Sequence, residues 1–251
     1  MNDIILSADE RLDKVNENIT LIQKKNGLTF GTDAFLLASF IKSSPSKIAA
    51  ELGAGTGIIS LLLAERNKLK KIYAIEIQKD FSELIERNAK INLLEGKVVS
   101  VNSDVTKIRS EELEGEVDVI FTNPPYMKTT SGKRNESDAK YIARHEVCGD
   151  INDFCKAGFR LLKHGGKFYA VWRPDRLCDL LYAMRANRLE PKIITFVHAD
   201  AESEPSIVLV SAIKGGASGA TVTPPLFLYA DKTHTKESDK AKRIYDTLSF
   251  N

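Results

Sequence analysis

From Lys47 onward, short apolar runs alternate with stretches whose apolar residues recur at helical spacing. Lys47–Glu51, Lys71–Glu76, Lys97–Val101, Val117–Thr122 and Lys167–Val171 are predicted strands. Helices are predicted between them. Gln78–Leu94 carries Phe81, Leu84, Ile85, Ala89 and Leu93 on one face, the spacing of an amphipathic helix. Ile58–Arg66 is shorter and more apolar. Asp150 is placed to cap a helix running to Leu162, and His164-Gly165-Gly166 is placed to stop it. Strands alternating with helices predict a mostly parallel sheet covered on both faces. A further helix near Arg176–Ala186 is followed by two β-like runs, Lys192–Val197 and Ser206–Ile213. That pair predicts an antiparallel hairpin closing one edge of a seven-stranded sheet.

Ahead of this alternation lies a separate piece. Thr20–Gln23 and Leu28–Phe30 flank Asn26-Gly27, a strong turn dipeptide, and predict a small hairpin. Thr32–Lys42 reads as a helix, and the tail Lys236–Leu248 as a terminal one. The expected organisation is an extension over residues 1–46 packed on a single unit over 47–251. Neither an internal repeat nor a low-complexity tract is visible.

Composition changes this picture little. The chain has 251 residues, 43% of them hydrophobic and 28% charged, as in an ordinary globular domain. The longest apolar run, Ile58 to Ala64, is far short of the roughly 18–20 residues that span a bilayer. The N-terminus lacks the basic start and apolar block of a signal peptide. Cys148, Cys155 and Cys178 form no CxxC pair and sit near no histidine cluster, so neither a disulfide nor zinc is expected and a reducing cytoplasm fits. A net charge of +2 leaves any nucleic-acid affinity to local patches.

Two motifs carry chemistry. The first, Glu51-Leu-Gly53-Ala54-Gly55-Thr56-Gly57, follows a strand and opens a helix. Glycines there permit positive backbone angles and let a ligand approach the main chain. A dinucleotide fingerprint is G-x-G-x-x-G, and its third glycine would fall at Ile58. The spacing here is G-x-G-x-G behind an acidic residue. It resembles motif I of the class I S-adenosylmethionine-dependent methyltransferases, whose Rossmann-like α/β fold the alternation above matches. The ligand then carries an ammonium and a sulfonium in place of a pyrophosphate, which gives Glu51 an electrostatic role. Glu76 ends the second strand nineteen residues after Gly57, placed to accept from both ribose hydroxyls or to serve as a helix N-terminal acid. Asp104 follows the third strand, as an adenine contact or a turn aspartate. The resemblance extends the cofactor set to Ile77 and Val105, neighbours of these two acids.

The second motif, Asn123-Pro124-Pro125-Tyr126, directly follows Val117–Thr122, beyond the carboxyl end of a predicted strand. An amine conjugated to an aromatic ring is a poor nucleophile, because its lone pair is delocalised. The Asn123 side-chain oxygen and the Pro124 carbonyl can each accept a hydrogen bond from such an NH₂. Two acceptors localise the lone pair as charge develops and aim it at the methyl. Prolines preorganise the backbone, and Tyr126 offers a flat face for stacking. The polar stretch 127–146, with Lys128, Lys133, Arg134 and Arg144, reads either as a solvated loop or as an RNA-contacting lid.

Over roughly residues 20–250 the chain resembles the bacterial tRNA(Val) adenine N6-methyltransferases. The likeness lies in Phe30-Gly-Thr-Asp33-Ala-Phe-Leu-Leu-Ala38, Asn123–Tyr126, Ala143-Arg144-His145-Glu146, Lys214-Gly-Gly216 and Pro224-Pro225-Leu226. It implies S-adenosylmethionine as cofactor, a tRNA adenine 3′ of the anticodon as substrate, and no membrane or stable protein partner. Thr32 and Asp33 would lie beside the cofactor; from the residues alone, either can equally cap the helix that follows. Arg144 and His145 would touch RNA. Enzymes sharing the tetrapeptide also methylate a release-factor glutamine amide, ribosomal guanine N2 or DNA adenine. A nucleotide-binding domain without catalysis is the reading from outside the enzymes.

Overall fold

The structure, a computed structural model, describes residues 6–25, 30–124 and 149–250. Its centre is a nine-stranded sheet. Four parallel strands form one half: β3 (Ser44–Leu52), β4 (Leu69–Glu76), β5 (Val98–Asn102) and β6 (Val117–Thr122). The other half comprises β7 (Leu162–Trp172), β8 (Leu189–His198), β9 (Pro205–Lys214) and the short β10 (Thr221–Val222) and β11 (Leu226–Phe227). The order is β10-β8-β9-β7-β6-β3-β4-β5, with β11 also paired to β8. β7 continues the parallel set, whereas β9 inserts antiparallel between β7 and β8.

Helices cover both faces. α1 (Thr32–Phe40), α2 (Ile58–Glu65) and α6 (Asp239–Thr247) pack on one, where Leu37, Leu61, Phe121 and Ile244 share a core. α3 (Lys79–Ile91) joins that core through Ile85 and Ala89. α4 (Ile151–Leu161) and α5 (Leu177–Ala186) cover the other face around Phe154, Phe168 and Leu180. The predicted α/β sheet covered on both faces is the one observed.

Three expectations are corrected. The predicted antiparallel hairpin is present as β8 and β9, but it does not close the edge: β10 and β11 extend it by parallel pairing with β8. The glycines after α4 do not stop the helix. Leu162 is already extended, and His164-Gly165-Gly166 lies inside β7, opposite a register shift between Val117 and Val119. A Cβ at Gly166 would stand 2.8 Å from the Lys163 carbonyl, so this irregular pairing needs glycine. Finally, Thr20–Lys24 (β2) pairs with Glu10–Lys14 (β1), not with 28–30. Phe30 is in no strand, and the rest of the predicted turn lies outside the described residues. β1 is a polar run without apolar alternation. Its buried residue is Glu10, held by both Arg87 nitrogens of α3 at 2.7 and 2.8 Å.

That hairpin is fastened to α3 by side-chain amides acting as a strand edge. The Asn88 Oδ1 accepts from the Ile22 N–H at 2.7 Å, and its Nδ2 donates to the Ile22 carbonyl at 3.2 Å. One turn later, Asn92 pairs with both backbone groups of Thr20 at 2.9 and 2.7 Å. Asn88 is fully buried, and its Nδ2 also donates to the Thr56 carbonyl at 3.1 Å. Asn88→Ala strands three buried backbone groups and is expected to cost about 2–3 kcal/mol in urea unfolding. A loss under about 0.5 kcal/mol, the range of a neutral surface change, would show that the hairpin is held elsewhere.

Candidate active site

Leu52 pairs with Ile75 on one side and Thr122 on the other, and Glu76 pairs with Asn102. The carboxyl ends of β3, β4, β5 and β6 therefore lie along one edge. The chain turns there at Gly53, Ile77, Ser103 and Asn123. Sequence order runs outward from β3 to β4 and β5 on one side, and from β6 to β7 on the other. The reversal falls between β3 and β6. Open α/β sheets bind ligands at such a switch point, and Gly53 and Asn123 stand on its two sides. The Thr122 hydroxyl donates to the Leu52 carbonyl at 2.8 Å and fixes one strand end against the other.

The turn from β3 to α2 uses positive φ at Gly53, Gly55 and Gly57. Gly57 is compelled twice, by φ of 80° and by Ile85, which a Cβ would approach to 3.2 Å. Gly55 differs: its φ is 55°, yet a Cβ would meet nothing within 4 Å. Its main chain faces open space. The Gly53 and Ala54 N–H groups both donate to the Ile75 carbonyl at 3.0 Å. Ala54 and Thr56 are buried within the turn.

Two carboxylates hold this turn. Glu51, only 2% exposed, accepts from the Ser60 N–H at 3.1 Å and from its hydroxyl, which ties β3 to the first turn of α2. Burial pushes its carboxyl up to about 8; the Ser60 bonds oppose this and the charge of Glu76 adds to it. Glu76, also buried, accepts from the Gly55 N–H at 2.8 Å on one oxygen and from the Gln78 N–H at 2.9 Å on the other. It thus bridges the glycine turn and the start of α3, which is the helix-terminal role weighed for it above.

The remaining sequence candidates divide. Asp104 accepts from the Thr106 N–H and hydroxyl at 2.8 and 2.7 Å, the geometry of a turn aspartate. Ile77 is half-buried, and its carbonyl accepts from Asn102 at 3.0 Å. Val105 points into the core beneath α4. Asn123 is half-buried and Pro124 buried at the end of β6. Neither Thr32 nor Asp33 caps α1: its N-cap is Gly31, without a side-chain bond, since the helix begins one residue earlier than that reading requires. Thr32 instead lies near the Tyr245 hydroxyl of α6. Pro125, Tyr126, Lys128, Lys133, Arg134, Arg144 and His145 lie outside the described residues. Ser60, Gln78 and Thr122 were not anticipated. Each makes an ordinary polar contact that carries no spacing signature.

Known proteins resemble this chain in sequence and in fold. Residues 24–181 match the model of the methyltransferase small domain. A tRNA1(Val) (adenine(37)-N6)-methyltransferase of Phocaeicola vulgatus is 28% identical over 78% of this chain and 81% of its own length. One of Dyadobacter fermentans is 27% identical over 85% of this chain and 87% of its own. Among solved structures, a predicted O-methyltransferase of Agrobacterium tumefaciens superposes with a TM-score of 0.69 at 20% identity, covering 87% of this chain and 98% of that one. The TYW2 protein of M. jannaschii, solved in complex with AdoMet, gives 0.57 at 16% identity, over 83% and 87%. Because one family model spans the glycine turn, all four strand ends and α4 in a single match, the chain belongs to the methyltransferase small domain family.

Proposed function

We propose that this chain is an S-adenosylmethionine-dependent methyltransferase acting on the exocyclic N6 of an adenine in tRNA, the adenine at position 37 of tRNA1(Val). The observation that carries this reading is the placement of Asn123-Pro124 across the switch point from the glycine turn, with Thr122 bonded to Leu52 between them. The relatives named above act, by name, on that adenine.

The residues present fit the cofactor. A carboxylate offers about four acceptor sites. Glu76 commits one site on one oxygen to the Gly55 N–H and, on the other, accepts from the Gln78 N–H and more distantly, at 3.4 Å, from its side-chain amide, so one ribose hydroxyl finds an open site and the second would take the place of that long amide contact. The open space over Gly55 admits a ligand against the main chain. Glu51 brings a carboxyl behind the turn that an adjacent positive charge would ionise. When bound, the cofactor supplies an electrophilic methyl group on a sulfonium.

The protein's own part is orientation and charge. The Asn123 side-chain oxygen and the Pro124 carbonyl accept from the two hydrogens of the target amine, drawing its lone pair out of the ring and toward the donor. Proline fixes that carbonyl before substrate arrives. The target base must leave its stack to reach this edge. Tyr126, next but one in the chain, supplies the aromatic surface in this proposal, with Lys128, Lys133, Arg134, Arg144 and His145 on the RNA side. A site in the cytoplasm follows from such a substrate.

The primary test offers tritiated S-adenosylmethionine with unmodified tRNA, ribosomal RNA, DNA and release factor separately. Label recovered as N6-methyladenosine in tRNA is expected. Label in another acceptor would keep the donor and discard the adenine. Asn123→Ala is expected to lower transfer by about 10²–10³-fold while donor affinity in calorimetry stays within about twofold; loss of donor binding would overturn the division of labour. Glu76→Ala removes two acceptors and should weaken the demethylated donor product about tenfold or more. Glu51 gives a pH signature. Its native carboxyl stays protonated to about 8, whereas the unfolded group ionises near its ordinary 4.5, so its contribution to stability falls as pH rises between those values. Glu51→Gln removes that slope. It should raise the thermal midpoint more at pH 8 than at pH 5, and an equal shift at both would refute the protonated assignment.

A further inference from the structure

At the other end of the parallel strands, on the face covered by α1 and α6, lies a cavity of about 920 Å³. Lys42, Arg66, Lys68, Lys167, Lys192 and Lys240 line it, and no aspartate or glutamate does. The whole chain has 36 basic and 34 acidic residues, so a lining of one sign alone departs from its average. Hydroxyls complete the wall. Thr195 and Thr223 bond each other at 2.8 Å, and Ser211 lies beside Tyr169 across β9 and β7.

Three of the six cations serve the fold. Lys68 is buried and donates to the carbonyls of Ala38 at 2.7 Å and Leu248 at 2.9 Å. Arg66 pairs with Glu65 at 2.9 Å. Lys192 donates to the carbonyls of Ala217 and Gly219. The others have no carboxylate against them among the described residues. Lys42 is exposed at the rim and Lys240 stands only over the Phe250 ring, at 5.8 Å. Lys167 is the most telling. It lies on β7, between β6 and β9, where strand alternation puts it on the same face as buried Tyr169 and Val171. It is half-buried there and lines the cavity with no carboxylate against it among the described residues.

We propose that this cavity binds phosphate groups of the RNA substrate, as a second contact remote from the reacting base. Free phosphorylated molecules share the same chemistry. The RNA is favoured because three cations and a hydroxyl wall in one concavity suit a phosphodiester backbone, and because the chain's small net charge requires such a local patch. β3 measures about 30 Å from its entry, near Lys42, to its exit at Gly53. A folded RNA spans that distance. The inference rests on the RNA reading above, and its test separates the two.

The test compares wild type with Lys42→Gln/Lys167→Gln and, independently, Lys240→Gln. Unmodified tRNA binding is followed by fluorescence anisotropy across salt concentrations, and thermal unfolding is followed with and without tripolyphosphate. In the double variant the slope of log affinity against log salt should shrink by about 1–2. The KM for tRNA should rise about tenfold, with kcat and affinity for the demethylated donor unchanged. Lys240→Gln should show the same changes at about half the size, which guards against a folding defect in the double variant. Tripolyphosphate should protect wild type and not the double variant. An unchanged salt slope with lost tripolyphosphate protection would overturn the RNA assignment and leave a free phosphorylated ligand. Unchanged slope and no protection of wild type would overturn the site altogether. Wild type that tripolyphosphate protects but that methylates no RNA would refute the proposed function and keep the anion cavity.

Discussion

A turn of five residues between β3 and α2 is held open by two buried carboxylates, and the site depends on that arrangement. Left-handed glycine conformations are easily adopted and as easily left. Glu76 takes the N–H of Gly55, and Glu51 takes the first turn of α2, so the turn is clamped from a neighbouring strand and from its own. Two carboxylates this close would repel if both were ionised in a dry interior. The protein resolves the conflict by keeping Glu51 neutral, its carboxyl raised to about 8. A cationic ligand would relieve what burial imposes. A binding site that is mildly uncomfortable when empty is a familiar consequence of building for a charged guest.

Around this turn the strands act as rulers. The ends of β3, β4, β5 and β6 share one edge by register, and the hydroxyl of Thr122 locks the central pair. Leu52 and Thr122, 70 positions apart in the chain, thereby meet without a long loop to carry them. The N-terminal hairpin adds a second layer of support. Asn88 of α3 bonds Ile22 of the hairpin and the Thr56 carbonyl of the turn at once, so the hairpin and the turn share one buried amide.

Much of this was legible in the sequence, for identifiable reasons. Strands β3 to β7 announced themselves because buried parallel strands read as apolar runs. The glycine turn announced itself, and Asn123-Pro124 stand where the chain leaves β6, as their place after an apolar run led one to expect. β1 was silent: its inward residue is Glu10, and a charge buried against Arg87 leaves no hydrophobic period to detect. The glycines after α4 misled because glycine marks both helix ends and strand irregularities, and only the pairing partner distinguishes them. The clamp residues Ser60, Gln78 and Thr122 were illegible for a plainer reason. A serine, glutamine or threonine bonding a neighbour looks like any other in one dimension. The cationic cavity was hidden likewise, since its six charges come from distant parts of the chain.

The ammonium of Lys68 joins carbonyls of α1 to Leu248, 180 residues further along than the lysine itself. A ribosome releases the chain from its N-terminus, so α1 and the lysine emerge long before their shared partner. Until the tail arrives, a buried cation has only part of its coordination, and that corner of the first core remains open to water. The segment carrying α6 and Leu248 is thus a closing latch for this core, and α1 waits for a partner made long after it.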